Sequence, residues 1–124
     1  TRKEPPLYSG SKVGSARNPK VHKEASMTVK AFIKRNVPAD KAKDMVPLFK
    51  QMRALAMEQH GYISGETLRN VDQPEEYLVI SVWNSAVDWQ KWLESRQRQA
   101  IQEKIDALLG GKTEYSLYHH GLAI

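Results

Sequence analysis

The 124-residue chain predicts a single α+β domain running from Met27 onward, with elements in βαββαβ order around a four-stranded antiparallel sheet. Three observations carry this. Segments that alternate apolar and polar residues are interleaved with segments whose apolar residues recur every three or four positions. A turn signal, Asp72-Gln73-Pro74, separates the middle pair of alternating segments and makes them a hairpin. The hydrophobic content of 40% is enough for one core of modest size.

Residues 28–35, TVKAFIKR, open the pattern as a strand, with Val29, Ala31 and Ile33 on one face and Lys30, Phe32 and Lys34 on the other. Pro38 and Asp40 supply helix-start chemistry. The spacing of Ala42, Met45, Val46, Phe49, Met52 and Ala56 then predicts a helix up to His60-Gly61, where glycine suits a C-terminal cap. Pro47 lies inside this pattern and should bend the helix or move its regular start later, because proline lacks a backbone donor. Tyr62 to Asn70 reads as the second strand, and Glu76 to Trp83, nearly continuous in apolar residues, as the third. Ser85 and Asp88 have capping-box spacing, with the carboxylate expected to reach back to the serine backbone. The helix they start carries Trp89, Trp92, Leu93, Ala100, Ile101, Ile105 and Leu108, with a break expected near Arg96. Gly110-Gly111 ends it, and Thr113 to His119 alternates as the fourth strand.

Two helical segments cover only one face of such a sheet. Tyr77, Val79 and Trp83, or their alternates, should therefore line an apolar face left open, which is the mark of an association surface. Self-association through the sheet is the expectation.

Residues 1–26 differ in kind from residues 27–124. They hold three of the six prolines and two of the seven glycines, few aliphatic residues and no period, the composition of a flexible extension. They also hold Arg2, Lys3, Lys12, Arg17, Lys20 and Lys23 against Glu4 and Glu24. Of the net +5 charge, +4 thus belongs to this segment, and residues 27–124, with 13 basic and 12 acidic groups, carry +1. A nearly neutral domain without a basic aromatic groove argues against nucleic-acid binding. No apolar run is long enough to span a membrane or to act as a signal peptide, so a cytoplasmic, membrane-free protein is expected. The absence of cysteine excludes disulfides, thiolate nucleophiles and cysteine-ligated metals. No phosphate-cradling glycine loop, dinucleotide fingerprint, serine triad or EF-hand is visible.

The order of elements, the His60-Gly61-Tyr62 turn and the segment VWNSAVDWQKWL at 82–93 together resemble the antibiotic-biosynthesis-monooxygenase family. The resemblance covers Met27 to about Gly121. It implies a ferredoxin-like fold, a dimeric α/β barrel made by two joined sheets, and a pocket between each sheet and its helices. Relatives include cofactor-independent quinol or anthrone oxygenases and heme-degrading oxygenases. The heme-degrading members use an asparagine, a tryptophan and a histidine. Here the tryptophan matches Trp92, but Ile33 stands at the asparagine position and Gln102 at the histidine position, with Asn36 in a different register. Glutamine is a poor axial ligand beside imidazole, so heme cleavage is disfavoured. Trp92 also stands where quinol-oxygenase relatives often have histidine.

The expected function is a cofactor-independent monooxygenase acting on a quinol or polycyclic phenol, with no metal and no cofactor. The alternative is a non-catalytic dimeric module that binds a small aromatic molecule, heme included, or serves in stress. Trp92, Phe49, Gln102 and Ile33 are the pocket candidates. Trp92 reads either as a stacking wall with a free indole donor or as part of a core stripe. His60, His119 and His120 are candidate bases, since neutral imidazole can accept a phenol proton. The two adjacent histidines should point to opposite strand faces and not share a metal. Tyr62, Tyr77, Tyr115 and Tyr118 should pack the barrel and its dimer contacts.

Overall fold

The structure, a computed structural model, describes residues 27–122; the extension expected over residues 1–26 lies outside them. The elements run β1 (Val29–Asn36), α1 (Ala42–Met57), β2 (Tyr62–Arg69), β3 (Glu76–Trp83), α2 (Ala86–Leu93), α3 (Arg96–Leu109) and β4 (Thr113–His119). The strands form one antiparallel sheet in the order β2-β3-β1-β4. This is the ferredoxin-like α+β arrangement, and its helices cover one face. No helix of the described residues is long and apolar enough to cross a membrane.

Register decides which side chains meet the helices. Val29, Ala31, Ile33 and Arg35 of β1 stand opposite Trp83, Ser81, Val79 and Tyr77 of β3. All four β1 residues in that row are buried. The open face therefore carries the alternates Leu78, Ile80 and Val82, with Lys30, Phe32 and Lys34 beside them, and not Tyr77, Val79 and Trp83. A strand with apolar residues at nearly every position does not announce its inner side; pairing with the strictly alternating β1 does.

The core has two parts. Under α2, Val29, Ala31 and Ile33 pack with Ala56, Trp83, Trp89 and Trp92. Trp83 is fully buried, lies edge-on to Tyr62 at 5.4 Å and is stacked on Trp92 at 6.4 Å. Its indole N–H donates to Ser81 Oγ at 3.0 Å, so the ring is buried without an orphaned donor. Between α1 and α3, Val37, Met45, Ile101 and Ile105 form the second part.

Several local expectations are corrected. Regular helix starts after a short lead-in: Ala39–Lys41 is a 3₁₀ turn and α1 begins at Ala42, with Pro47 inside it on the exposed side. Val46 also faces outward, at 47% exposure. The helix ends at Met57, before His60-Gly61, and Gly61 instead turns the chain into β2 with φ +90°. Its carbonyl accepts from Asn84 N–H, and a Cβ there would collide with the Asp88 carboxylate. The Ser85 hydroxyl accepts from Asp88 N–H at 3.1 Å, but the carboxylate bonds the serine hydroxyl and not its backbone. The second helical segment is two helices, because Ser95 caps a new one by accepting from Arg98 N–H. That restart rotates the inward stripe of α3 to Arg98, Ile101, Gln102 and Ile105, leaving Ala100 exposed. Gly110 ends α3 in the left-handed conformation, as expected.

Candidate functional site

Two concavities lie on opposite sides of the sheet. One is a trough of about 670 Å³ on the open face, lined by Lys30, Phe32, Lys34, Leu78, Tyr118 and His120 among others. The second is a narrow cleft of about 60 Å³ between the sheet and the helices, lined by Ile33, Arg35, Phe49, Met52, Val79, Trp92 and Arg98 among others. The trough is larger, but its charged groups are solvated; Lys34 and Glu114 approach within 3.7 Å with both side chains largely exposed. The cleft joins apolar walls to buried cations, which is the combination that supports binding or chemistry.

Three of the four candidates from sequence, Ile33, Phe49 and Trp92, line this cleft. Trp92 belongs to the core and to the cleft wall at once: it is 3% exposed, stacked on Trp83, and lines the cleft. Gln102 does not line the cleft. It stands behind the wall, and its amide is fully engaged. The nitrogen donates to Asp106 Oδ1 at 2.8 Å and to Thr113 Oγ1 at 3.0 Å. The oxygen accepts from Arg35 Nη2 at 3.0 Å, Arg98 Nη2 at 3.3 Å and the Tyr115 hydroxyl at 3.3 Å. With every amide atom bonded inside the protein, Gln102 has nothing left for an iron, and the residues present do not fit a heme.

The three candidate bases are elsewhere. His60 is an exposed side chain whose Nε2 lies 3.9 Å from Asp88 Oδ1. His119 and His120 border the open-face trough, where His119 Nδ1 meets the His120 carbonyl. None of them lines the cleft. Among the described residues no three His, Asp or Glu side chains gather at metal-binding distance. Of the tyrosines, Tyr62 lines the cleft, Tyr77 packs on Phe49 and Tyr115 joins the Gln102 network, while Tyr118 lies on the open face edge-on to Phe32.

Two arginines that sequence reading passed over complete the cleft. Arg35 is 3% and Arg98 2% exposed. Burial lowers Arg35 from its ordinary value to about 10, with Tyr115 opposing and Arg98 adding to the shift, so the group stays cationic at neutral pH. Its guanidinium lies 5.6 Å from the Phe49 ring, and that of Arg98 5.1 Å from the Tyr115 ring. Both had a signal. Arg35 continues the inward row of Val29, Ala31 and Ile33 by one step, and Arg98 stands three, four and seven residues before Ile101, Gln102 and Ile105.

Fold and cleft together define a ferredoxin-like domain with an aromatic-lined cleft between its sheet and helices. The sequence pattern of the antibiotic biosynthesis monooxygenase family matches residues 28–104, and the chain belongs to that family. No curated protein sequence matches it. Among solved structures it is similar to a conserved protein from Methanosarcina mazei Go1, with a TM-score of 0.71, 16% identity and coverage of 81% of this chain and 99% of that one. A variant of SnoaB, a cofactor-independent oxygenase from Streptomyces nogalater, gives a TM-score of 0.68 at 20% identity over 78% and 96%. A protein from Mycobacterium tuberculosis gives 0.67 at 12% over 77% and 97%. At such identities the likeness is one of fold.

Proposed function

We propose that this chain is a cofactor-independent monooxygenase whose substrate is a small quinol or phenol held against Trp92. The observation that carries the reading is Trp92 itself, a buried ring on the wall of the cleft between sheet and helices, in a chain of this family. In such chemistry the ring anion reduces oxygen directly. For a hydroquinone, quinol plus O₂ gives hydroxyquinone plus water; the substrate supplies all four electrons, and one oxygen atom enters each product. The protein's share is to bind the ring flat, favour its anion and exclude bulk water. At about 60 Å³ the cleft is smaller than the roughly 150 Å³ that holds a benzene ring, so it must widen to admit a ligand, and a single-ring quinol requires less widening than a polycyclic phenol.

Oxygen consumption over a series of hydroquinones tests this. The wild type should show saturable uptake above the protein-free rate. Trp92→Phe, which keeps a ring and loses the indole donor, should lower uptake at least several-fold while circular dichroism stays unchanged. Uptake at the protein-free rate throughout the series would defeat the reading, and uptake indifferent to Trp92→Phe would return that residue to the core.

The reading includes a homodimer joined through the open sheet face. Phe32, Leu78, Ile80 and Val82 support it: they are half-buried with no element of this chain over them, and such faces are ordinarily covered by association.

A further inference from the structure

Arg35 and Arg98 are cations removed from water, yet neither meets a carboxylate among the described residues. The ion pairs described there, Lys34–Glu114 and His60–Asp88, involve other groups. Ionised side chains inside proteins are ordinarily paired, because an uncompensated buried charge is strongly unfavourable. Here the direct contacts are neutral and few, and Asp106 favours the Arg35 charge only from beyond contact. Gln102 Oε1 serves both guanidinium groups, the Tyr115 oxygen accepts from Arg98 at 2.7 Å, and Arg35 Nε is buried with no partner at all. Asp106 could have neutralised the pair, but it accepts from the Gln102 nitrogen instead. By holding the nitrogen, Asp106 and Thr113 turn the amide oxygen toward the arginines. The network thus presents positive charge to the buried end of the cleft and turns Asp106 away from it, while the other charged lining residues, Arg53 and Glu66, are exposed.

We propose that Arg35 and Arg98 form an oxyanion seat, so that the ligand of this cleft is an aromatic ring bearing an anionic oxygen, a phenolate or a carboxylate, with the ring against Trp92 and Phe49. The proposal rests on reading the cleft as an aromatic site and sharpens it. Charge-assisted bonds from guanidinium groups are short and strong, and they gain strength in a low-dielectric wall. A phenol would bind as its phenolate: the O–H bond breaks, the electron pair stays on oxygen and the proton passes to solvent. The two cations stabilise the product of that ionisation. Acidifying the bound phenol in this way removes the need for a histidine in the cleft, where none of the three described histidines lies.

4-Nitrophenol is a suitable probe, because its phenolate is yellow and its ionisation can be read while bound. Benzoate supplies the carboxylate, and 4-nitroanisole is a neutral match for the phenol. Binding is followed by tryptophan fluorescence, and ionisation by absorbance across a pH series. The wild type should bind nitrophenolate at least tenfold more tightly than nitroanisole and lower the apparent pKa of nitrophenol accordingly. Arg35→Met and Arg98→Met should each abolish most of that preference, leave nitroanisole binding within about twofold, and melt no lower than the wild type; Arg35→Lys should retain part of it. Benzoate binding that depends on both arginines, without a shifted nitrophenol, would support the seat and assign it to carboxylates. Equal affinity for nitrophenol and nitroanisole would overturn the oxyanion seat and leave the aromatic cleft standing. Binding of none of the three probes would overturn both. Anion binding unchanged in the methionine variants, or variants that melt many degrees lower with binding intact, would make the arginines structural and overturn the proposal.

Discussion

The two faces of the sheet come from the same strands and have opposite chemistry. On the open face, Lys30 and Lys34 alternate with Phe32 and stay in water, and the Lys34–Glu114 pair is exposed on both sides; such pairs contribute little. On the covered face, one residue away, Arg35 is buried with no carboxylate at ion-pair distance, Asp106 favouring its charge only from farther off, and shares a single amide oxygen with Arg98. Charge in the trough is explained by solvation alone. Charge in the cleft is not, since folding places it there at a penalty that the protein's own contacts do not offset. The comparison shows why the smaller concavity is the better site: volume measures room, whereas an unpaired buried charge marks a missing partner.

The strongest way to break the contrast is to damage one face and watch the other. Trp83→Ala removes the fully buried ring on which Tyr62, Trp89 and Trp92 all lean, and should destabilise the domain by about 3–5 kcal/mol in denaturant unfolding. A loss below about 1 kcal/mol would mean that the tryptophan cluster is not the centre of the covered face. A smaller effect is expected across the sheet. Ile80→Lys puts a charge in the middle of the open apolar row. It should turn a dimer into a folded monomer by light scattering while leaving the cleft's probe binding intact. A wild type that is already monomeric at micromolar concentration would remove the dimer proposal.

The smallest expected effect concerns pH. In the folded chain Arg35 loses its proton near 10, below its value in the unfolded chain. Between those two values the unfolded state binds more protons, so folding becomes more favourable as pH rises. The penalty of the buried charge is therefore fully present below about pH 10 and relieved above it. Arg35→Met should be at least as stable as the wild type from pH 6 to 9, and its advantage should shrink above about pH 10. An advantage that grows in alkali would contradict a desolvated cation at this position.

Residue order alone sufficed for the sheet, the hairpin and the Gly110 cap, because period, turn chemistry and left-handed glycine are local properties. Of the four pocket candidates it offered, the fold brings Ile33, Phe49 and Trp92 to one cleft and leaves Gln102 behind its wall. The split of the second helix was anticipated near Arg96, but its consequence was not. Once Ser95 restarts the helix, Arg98 turns inward in place of Ala100, and a charged residue in a polar stretch reads from sequence as solvated.

The sequence by itself determined which segments become strands and helices, since those depend on neighbours three or four positions away at most. Tertiary structure decided the rest. Which side of β3 faces the helices depends on its register with β1, whose paired residues lie from 40 positions away, for Asn36 and Glu76, to 54, for Val29 and Trp83. The meeting of Arg35 with Gln102 spans 67 residues, and nothing local marks either as part of the other's surroundings. Burial of a charge is a property of the packed chain, and so the feature that sets the chemistry of the cleft appears only when β1, α3 and β4 are brought together.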